Sequence, residues 1–369
     1  MTDRQVLLMT YGIFFLLGFF VGKMANKNIV FGITLPDELL VDQEVKAIKT
    51  KFYRRYTCLL GTLLVVCLYL DGHNHHIAYI FAYIGTWLFV TPLLFAQANK
   101  GIKTIKGKKY KPLEGEDYRS ASLVKRQVRH SHSFKAFLIP LAISLGTGLA
   151  TLVHYRQIPD KIPMHYDYSG QVTRYGDKSF GTLSILLWTQ VFLTLLIMGS
   201  TYASLKWSKQ RLSSRRPKTS EYQKSVANKR FILVMALTAA CVNLTFTGIQ
   251  LQSIGLIHLS PGVFNGLIYG TMLPLFGLII WFYLTTGQSG ERLKVKALEE
   301  ETGPLSLNDQ EDDYWKAGLV YYNKNDSAMF VTKRFGGGYT INFGNPRAVG
   351  LLVLILLAIG GGICWSVFL

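Results

Sequence analysis

The chain has 369 residues, 49% of them hydrophobic and only 17% charged, a balance that excludes an ordinary soluble globular domain. Its formal net charge is +18, which in a soluble domain would suggest a nucleic-acid partner. Eight apolar runs decide otherwise: at about 5–22, 57–70, 77–98, 136–153, 181–205, 231–257, 264–286 and 348–369 there is no Asp, Glu, Lys or Arg. Each is near or above the roughly 18–20 residues that a helix needs to cross a bilayer. The predicted fold class is an all-α integral membrane protein with eight transmembrane helices and a small cytoplasmic β-rich module before the last of them.

Between the runs the basic residues alternate. One precedes the first run, and the successive loops hold seven, none, eleven, four, nine, none and eight. Cytoplasmic loops carry the excess of Lys and Arg, so loops one, three, five and seven are read as cytoplasmic and both termini as extracytoplasmic, in a plasma membrane. The basic surplus then faces the anionic lipids of the inner leaflet, where each Lys or Arg contributes about 1 kcal/mol. No nucleic-acid partner is needed to explain it. Cys58, Cys67, Cys241 and Cys364 sit within or beside the runs, without metal-ligand spacing, and read as small apolar packing groups. The first run lacks a preceding basic region and a clear cleavage site, so it reads as a retained span. No cofactor is predicted.

In chain order, the first run contains Gly18-Phe-Phe-Val-Gly22, a small-xxx-small pattern that allows close helix approach. The loop Phe31-Gly-Ile-Thr-Leu-Pro36 leads to a helix that Asp42 can cap. Val45, Ile48 and Phe52 share one face of it, and Lys46, Lys49, Lys51, Arg54 and Arg55 fill the rest. That pattern predicts an amphipathic helix on the inner leaflet, feeding the second span. His73, His75 and His76 crowd the next turn, either as part of a metal site or as a solvated polar link. Loop three is basic and predicts a helix at about 116–133.

The most distinctive polar stretch is 162–179, between the fourth and fifth spans. Pro159 and Pro163 hold the residues before them extended, and Asp167-Tyr-Ser-Gly170 is a turn signal. Gly176 permits a second bend, and Asp177 or Ser179 can cap the fifth span. An ordered outer loop is predicted, with Tyr166, Tyr168, Tyr175 and Phe180 as interfacial anchors. Its candidate ligand-binding residues are Pro163, His165, Tyr166, Asp167, Gly170, Tyr175, Gly176, Asp177 and Lys178.

Beyond the seventh span, Leu293–Thr302 predicts a short helix. Strand-like pieces at 317–322, 328–333 and 339–343 predict a β meander too small to stand alone. Trp315, Lys333, Arg334, Phe335 and Tyr339 are its candidate partner-binding residues. The predicted units are a seven-span domain (1–286, with 136–205 as the loop and its flanking spans), a cytoplasmic module (287–347) and an eighth span (348–369).

The residues Pro163, His165, Tyr166, Gly170, Tyr175, Gly176, Lys178 and Ser179, with the spans around them, resemble a bacterial domain of unknown function (1648 type) shared by the SdpI-like immunity proteins. The pattern there is Pro-x-His, an aromatic residue, a turn with Gly, an aromatic-Gly pair and Lys-Ser. Phe31 to Pro36 is similar to that family's first cytoplasmic loop. Asp313-Tyr-Trp-Lys-Ala-Gly318, Tyr321-Tyr-Asn323, Val331-Thr-Lys-Arg-Phe-Gly336 and Asn342-Phe-Gly344 are similar to a short uncharacterised module that ends such proteins. The resemblance implies a multi-pass membrane protein of Gram-positive-type bacteria. Its best-understood kind confers immunity to a secreted peptide toxin and signals to a repressor.

Three activities compete on the residues alone. An intramembrane protease needs metal ligands or paired carboxylates within spans, and the spans contain no carboxylates. Gly287-Gln-Ser-Gly290 has the spelling of a serine-protease motif but lies at the opposite membrane face from His154 and His258. An outer-interface enzyme would rest on His165 with Asp167 or Asp177. A permease or transport-accessory protein would have to manage with Gln190, Asn243, Gln250 and Gln252, which read more simply as interhelical hydrogen-bonding groups. A binding or sensor protein needs only an ordered outer loop, an extracellular peptide ligand and a cytoplasmic regulatory partner. That last reading fits best.

Overall fold

The apolar runs become long helices in a computed structural model of the chain, which describes residues 3–25, 28–70, 76–110, 131–166, 172–208, 216–296 and 310–368. Helices follow from the solvent: in hydrocarbon every backbone N–H and C=O must be met within the segment itself. The N-terminal part comprises α1 (Asp3–Met24), the short strands β1 (Ile29–Val30) and β2 (Ile33–Thr34), α2 (Asp37–Leu40), α3 (Gln43–Leu70) and α4 (His76–Lys109). After a single turn, α5 (Ser131–Phe134), come α6 (Leu138–Val153), β3 (Lys161–Tyr166), β4 (Val172–Asp177), α7 (Phe180–Trp207), α8 (Pro217–Ser253) and α9 (Pro261–Thr285). The chain closes with α10 (Gln310–Asp313), β5 (Trp315–Lys316), β6 (Val320–Tyr321), β7 (Phe330–Thr332), β8 (Tyr339–Ile341) and α11 (Pro346–Phe368).

Five helices among the described residues are long and apolar enough to cross a membrane: Phe81–Lys109, Lys135–Val153, Phe180–Trp207, Pro217–Ser253 and Gly262–Thr285. The other three predicted spans fall on α1 and α11, where shorter apolar stretches at Tyr11–Phe20 and Pro346–Gly361 are found, and on α3. The predicted surface helix and second span prove to be one continuous helix, α3. Composition changes near Arg55, but no Pro or Gly interrupts the chain until Gly61, so the backbone has no reason to stop. Asp42 caps it as predicted, its carboxylate accepting from the backbone N–H of Glu44 at 2.8 Å and of Val45 at 3.4 Å.

Two groups of helices pack side by side. In the first, α1, α3 and α4 enclose Val45, Phe52, Tyr56, Leu60, Phe95 and Ile102, with Tyr11, Cys67 and Tyr83 at the far end. Gly18 lets this happen, since a Cβ there would strike the Tyr56 ring and hydroxyl. That hydroxyl donates to Phe15 O at 3.0 Å and accepts from Trp87 Nε1 at 3.2 Å. In the second group α8 is central, bordered by α6, α7 and α9, and α1 against α9 joins the two.

Helix ends sort into two sets. One holds the β3–β4 hairpin and the link from α8 to α9, where Gly255 comes close to Pro159. The opposite end gathers β1–β2, α2 and the segment 310–345. In that segment the predicted three-stranded meander is instead two separate hairpins, β5–β6 and β7–β8. Ala317 (φ 52°) and Gly318 (φ 72°) turn the chain where a strand was expected, because Gly318 must fit against Phe31 O and the Phe95 ring. Residues 293–296 are not helical, and the rest of the helix predicted to Thr302 lies outside the described residues. So does most of the helix predicted at 116–133, of which only α5 is seen.

Candidate functional site

Strands β3 and β4 pair antiparallel, with Lys161 opposite Asp177, Ile162 opposite Gly176, Pro163 opposite Tyr175, His165 opposite Arg174 and Tyr166 opposite Val172. The register slips on either side of His165. Irregularities of this kind re-aim a side chain and increase local twist. His165 is exposed, its Nδ1 2.6 Å from Thr173 Oγ1. Asp177, one of the two aspartates the enzyme reading offered to His165, is held instead by Lys161 across the strands at 2.5 Å. Gly176 corrects another expectation. It makes no bend but lies extended in β4, where a Cβ would come within 2.9 Å of Met164 Cγ.

The base of the hairpin is fastened three ways. Lys178 Nζ donates to Ile158 O at 2.8 Å and lies 4.7 Å from the centre of the Tyr155 ring. Ser179 is the cap of α7, its hydroxyl accepting from the Thr182 N–H at 3.1 Å. Ile158 and Ile162 bury themselves against Leu183 and Ile254, tying the hairpin to α7 and to the end of α8. Lys178 is therefore part of the fastening. Pro163 is half-buried, Tyr175 opposite it is 58% exposed, and Phe180 at the start of α7 is 76% exposed. Asp167, Tyr168 and Gly170 lie outside the described residues, as do His73 and His75. The side chains of Tyr166 and His76 are likewise not described. Among the described residues no cluster of three or more His, Cys, Asp and Glu is placed to hold a metal.

At the other end, Arg334 is 2% exposed. Its Nη1 donates to Gly32 O at 2.7 Å and to Asp312 Oδ1. Asp312 also accepts from Lys106 Nζ at 2.7 Å, and from the N–H and hydroxyl of Thr34 at 3.3 and 3.2 Å. Burial alone would raise the Asp312 carboxyl, but Arg334 and Lys106 together hold it below the ordinary aspartate value. The guanidinium lies over the Trp315 ring, 5.3 Å from its centre. Phe335 packs edge-on against Phe95 with centroids 4.2 Å apart, and Tyr339 meets Phe231 at 6.0 Å. Of the five residues predicted to face a partner, only Lys333 is exposed; the others are engaged with the chain itself. Sequence reasoning missed Asp312 and Gly32, the groups that Arg334 bonds, and Lys106, which shares the Asp312 carboxylate.

Residues 142–189, which run from α6 through the hairpin into α7, match the family described as a domain of unknown function (DUF1648). The chain carries a DUF1648 domain. Residues 324–349 match a family of unknown function (DUF5808), and they include Arg334, Phe335 and the strands β7 and β8. No curated protein and no solved structure matches the chain. The DUF1648 match thus covers the hairpin with the end of α6 and the start of α7, while Ile254 at the end of α8 lies beyond it. What its exposed part offers chemically is a ring nitrogen on His165, the Arg174 guanidinium, the Tyr175 phenol and two strands that, among the described residues, have no further neighbours in their sheet. These groups suit recognition by hydrogen bonding and strand pairing.

Proposed function

We propose that this chain is a plasma-membrane binding or sensor protein whose DUF1648 hairpin contacts an extracellular peptide and whose effect is immunity or signalling. The observation that carries the reading is the seating of the hairpin. Lys178, Ser179 and the Ile158–Ile162–Leu183–Ile254 cluster hold its base, while His165, Arg174 and Tyr175 remain exposed. An anchored base with a free polar face is pre-organised, so a ligand would meet little ordering penalty on binding. The resemblance to SdpI-like proteins supports the choice of a peptide over other ligands. In this proposal α1, α3 and α11 join the five helices above to make eight spans, with both termini and the hairpin outside. The 310–345 segment then lies in the cytoplasm, where its exposed Lys333 is available to a regulatory partner.

Two experiments test this. A deletion strain challenged with secreted peptide toxins is expected to lose survival, restored by the native chain and not by His165→Ala. Equal survival with and without the gene would reject the immunity role. For sidedness, Arg174→Cys in a background without the four native cysteines is expected to react with an impermeant maleimide in intact cells. Reaction only after lysis would put the hairpin on the wrong side for any external ligand.

A further inference from the structure

Behind the hairpin a column of polar side chains joins α6, α7 and α8. Its inner layer is Asn243, fully buried, whose Nδ2 lies 2.9 Å from Pro140 O and 3.0 Å from both Ser144 Oγ and Thr194 Oγ1. The layer nearest the hairpin is Gln250, whose Nε2 donates to Leu183 O at 3.1 Å and lies 3.4 Å from Thr151 Oγ1. Between them Thr147 and Thr247 share a hydrogen bond of 2.8 Å. Gln190 stands one helical turn from Thr194 towards the hairpin, and so belongs to this middle layer. It is fully buried, yet among the described residues neither of its amide atoms has a hydrogen-bond partner, and Asn243 Oδ1 has none either.

The donor and acceptor inventory shows what is missing. A glutamine amide offers two N–H donors and an acceptor oxygen, and the Asn243 oxygen offers a second acceptor. The two threonine hydroxyls have two protons for three contacts, Thr147 with Ile143 O at 2.9 Å, Thr247 with Asn243 O at 2.8 Å and the two with each other, so both protons are already used. Their oxygens still have lone pairs to accept with. A group that completes this set must accept from Gln190 Nε2 and donate to oxygen, and must be small enough to lie between three packed helices. Water meets all three conditions, and buried waters characteristically make two to four such bonds.

We infer that the bundle of α6, α7 and α8 holds structural water at Gln190, bridging the Gln190 amide to Asn243 Oδ1 and the Thr147–Thr247 pair. This is a hydrated site within the helix bundle, capped towards the hairpin by the bond from Gln250 to Leu183. Leu183 packs on Ile162 of the hairpin, so the site lies directly beneath the element described above.

Radiolytic hydroxyl labelling of the full chain in nanodiscs, with a rapid switch to H2(18)O, tests it. Bound water oxidises the side chains beside it and exchanges more slowly than bulk. The peptide covering 183–198 is expected to be oxidised in the native chain, with slow uptake of the heavy isotope. In Gln190→Leu that signal is expected to fall to the level of the apolar stretch 273–284 in α9. Oxidation of 183–198 no greater than that of 273–284 in the native chain would overturn the inference, whether or not the variant folds. So would a signal that persists unchanged in a folded Gln190→Leu.

Discussion

A single guanidinium shows how unevenly stability is distributed in this chain. Arg334 and Asp312 are both nearly excluded from solvent, and removing Asp312 takes from buried Arg334 and Lys106 the carboxylate they share, leaving Arg334 with Glu311 Oε2 at the longer distance of 3.8 Å. Breaking such a buried pair typically costs about 3–5 kcal/mol, whereas an exposed pair contributes about 1 kcal/mol or less. Asp312→Ala is therefore expected to lower the thermal unfolding midpoint strongly. Lys161→Ala, which removes the exposed Asp177 contact, should leave it nearly unchanged. The pH dependence follows from the direction of the Asp312 shift. Its carboxyl is held below the ordinary aspartate value, so its stabilisation is complete at neutral pH. It is lost as pH falls from about 4 through the lower folded value. Unfolding midpoints measured from pH 7 to pH 3 should drop at the acid end in the native chain. In Asp312→Asn that component of the drop should be absent. Sequence alone pointed to Arg334 as a residue of interest but set it on the surface. Nothing local distinguishes a buried arginine from a solvated one when its partners are the Gly32 carbonyl and Asp312, a carboxylate it shares with Lys106.

Among the elements, the helices were the legible part. Apolar runs without charge leave little freedom in lipid, and their positions in the structure follow the runs closely. Boundaries were less legible where composition and periodicity disagree, as in α3, whose basic first half and apolar second half share one unbroken backbone. The hairpin was legible as an ordered loop but not as two strands. Lys161 to Tyr166 contains a proline and its pairing slips twice, so the alternation that marks a strand is blurred. Its fastening gives a prediction. Ser179→Ala removes the cap of α7, worth about 1 kcal/mol, so amide exchange near 179–183 should accelerate about fivefold. Lys178→Ala should loosen β3 and β4 as well, because the bond to Ile158 O is lost, while exchange in α8 stays as it was. Equal exchange in hairpin and helix on Lys178→Ala would mean that the apolar cluster alone holds the base.

Across the whole molecule, the first turn of backbone after α1 is completed by residues near the other end of the sequence. Gly32 (φ 81°) lies so close to Gly318 that a Cβ on it would come within 2.5 Å of the Gly318 Cα. Gly32→Val is expected to release both sides of this contact together. New protease cleavage should appear within 28–36 and within 317–335 at the same rate, with the hairpin still protected. Cleavage in one segment only would show that they are held independently. The pairing of Thr34 with Asp312 spans 278 positions. At about 5–20 residues per second, a ribosome needs on the order of fifteen to fifty-five seconds to travel between them. Throughout that time the contacts that Gly32 and Thr34 make with Gly318, Asp312 and Arg334 stay unmade. A transcript cut short anywhere upstream of codon 312 thus yields a product that no amount of waiting can close, and one that membrane quality-control proteases can recognise by its open end.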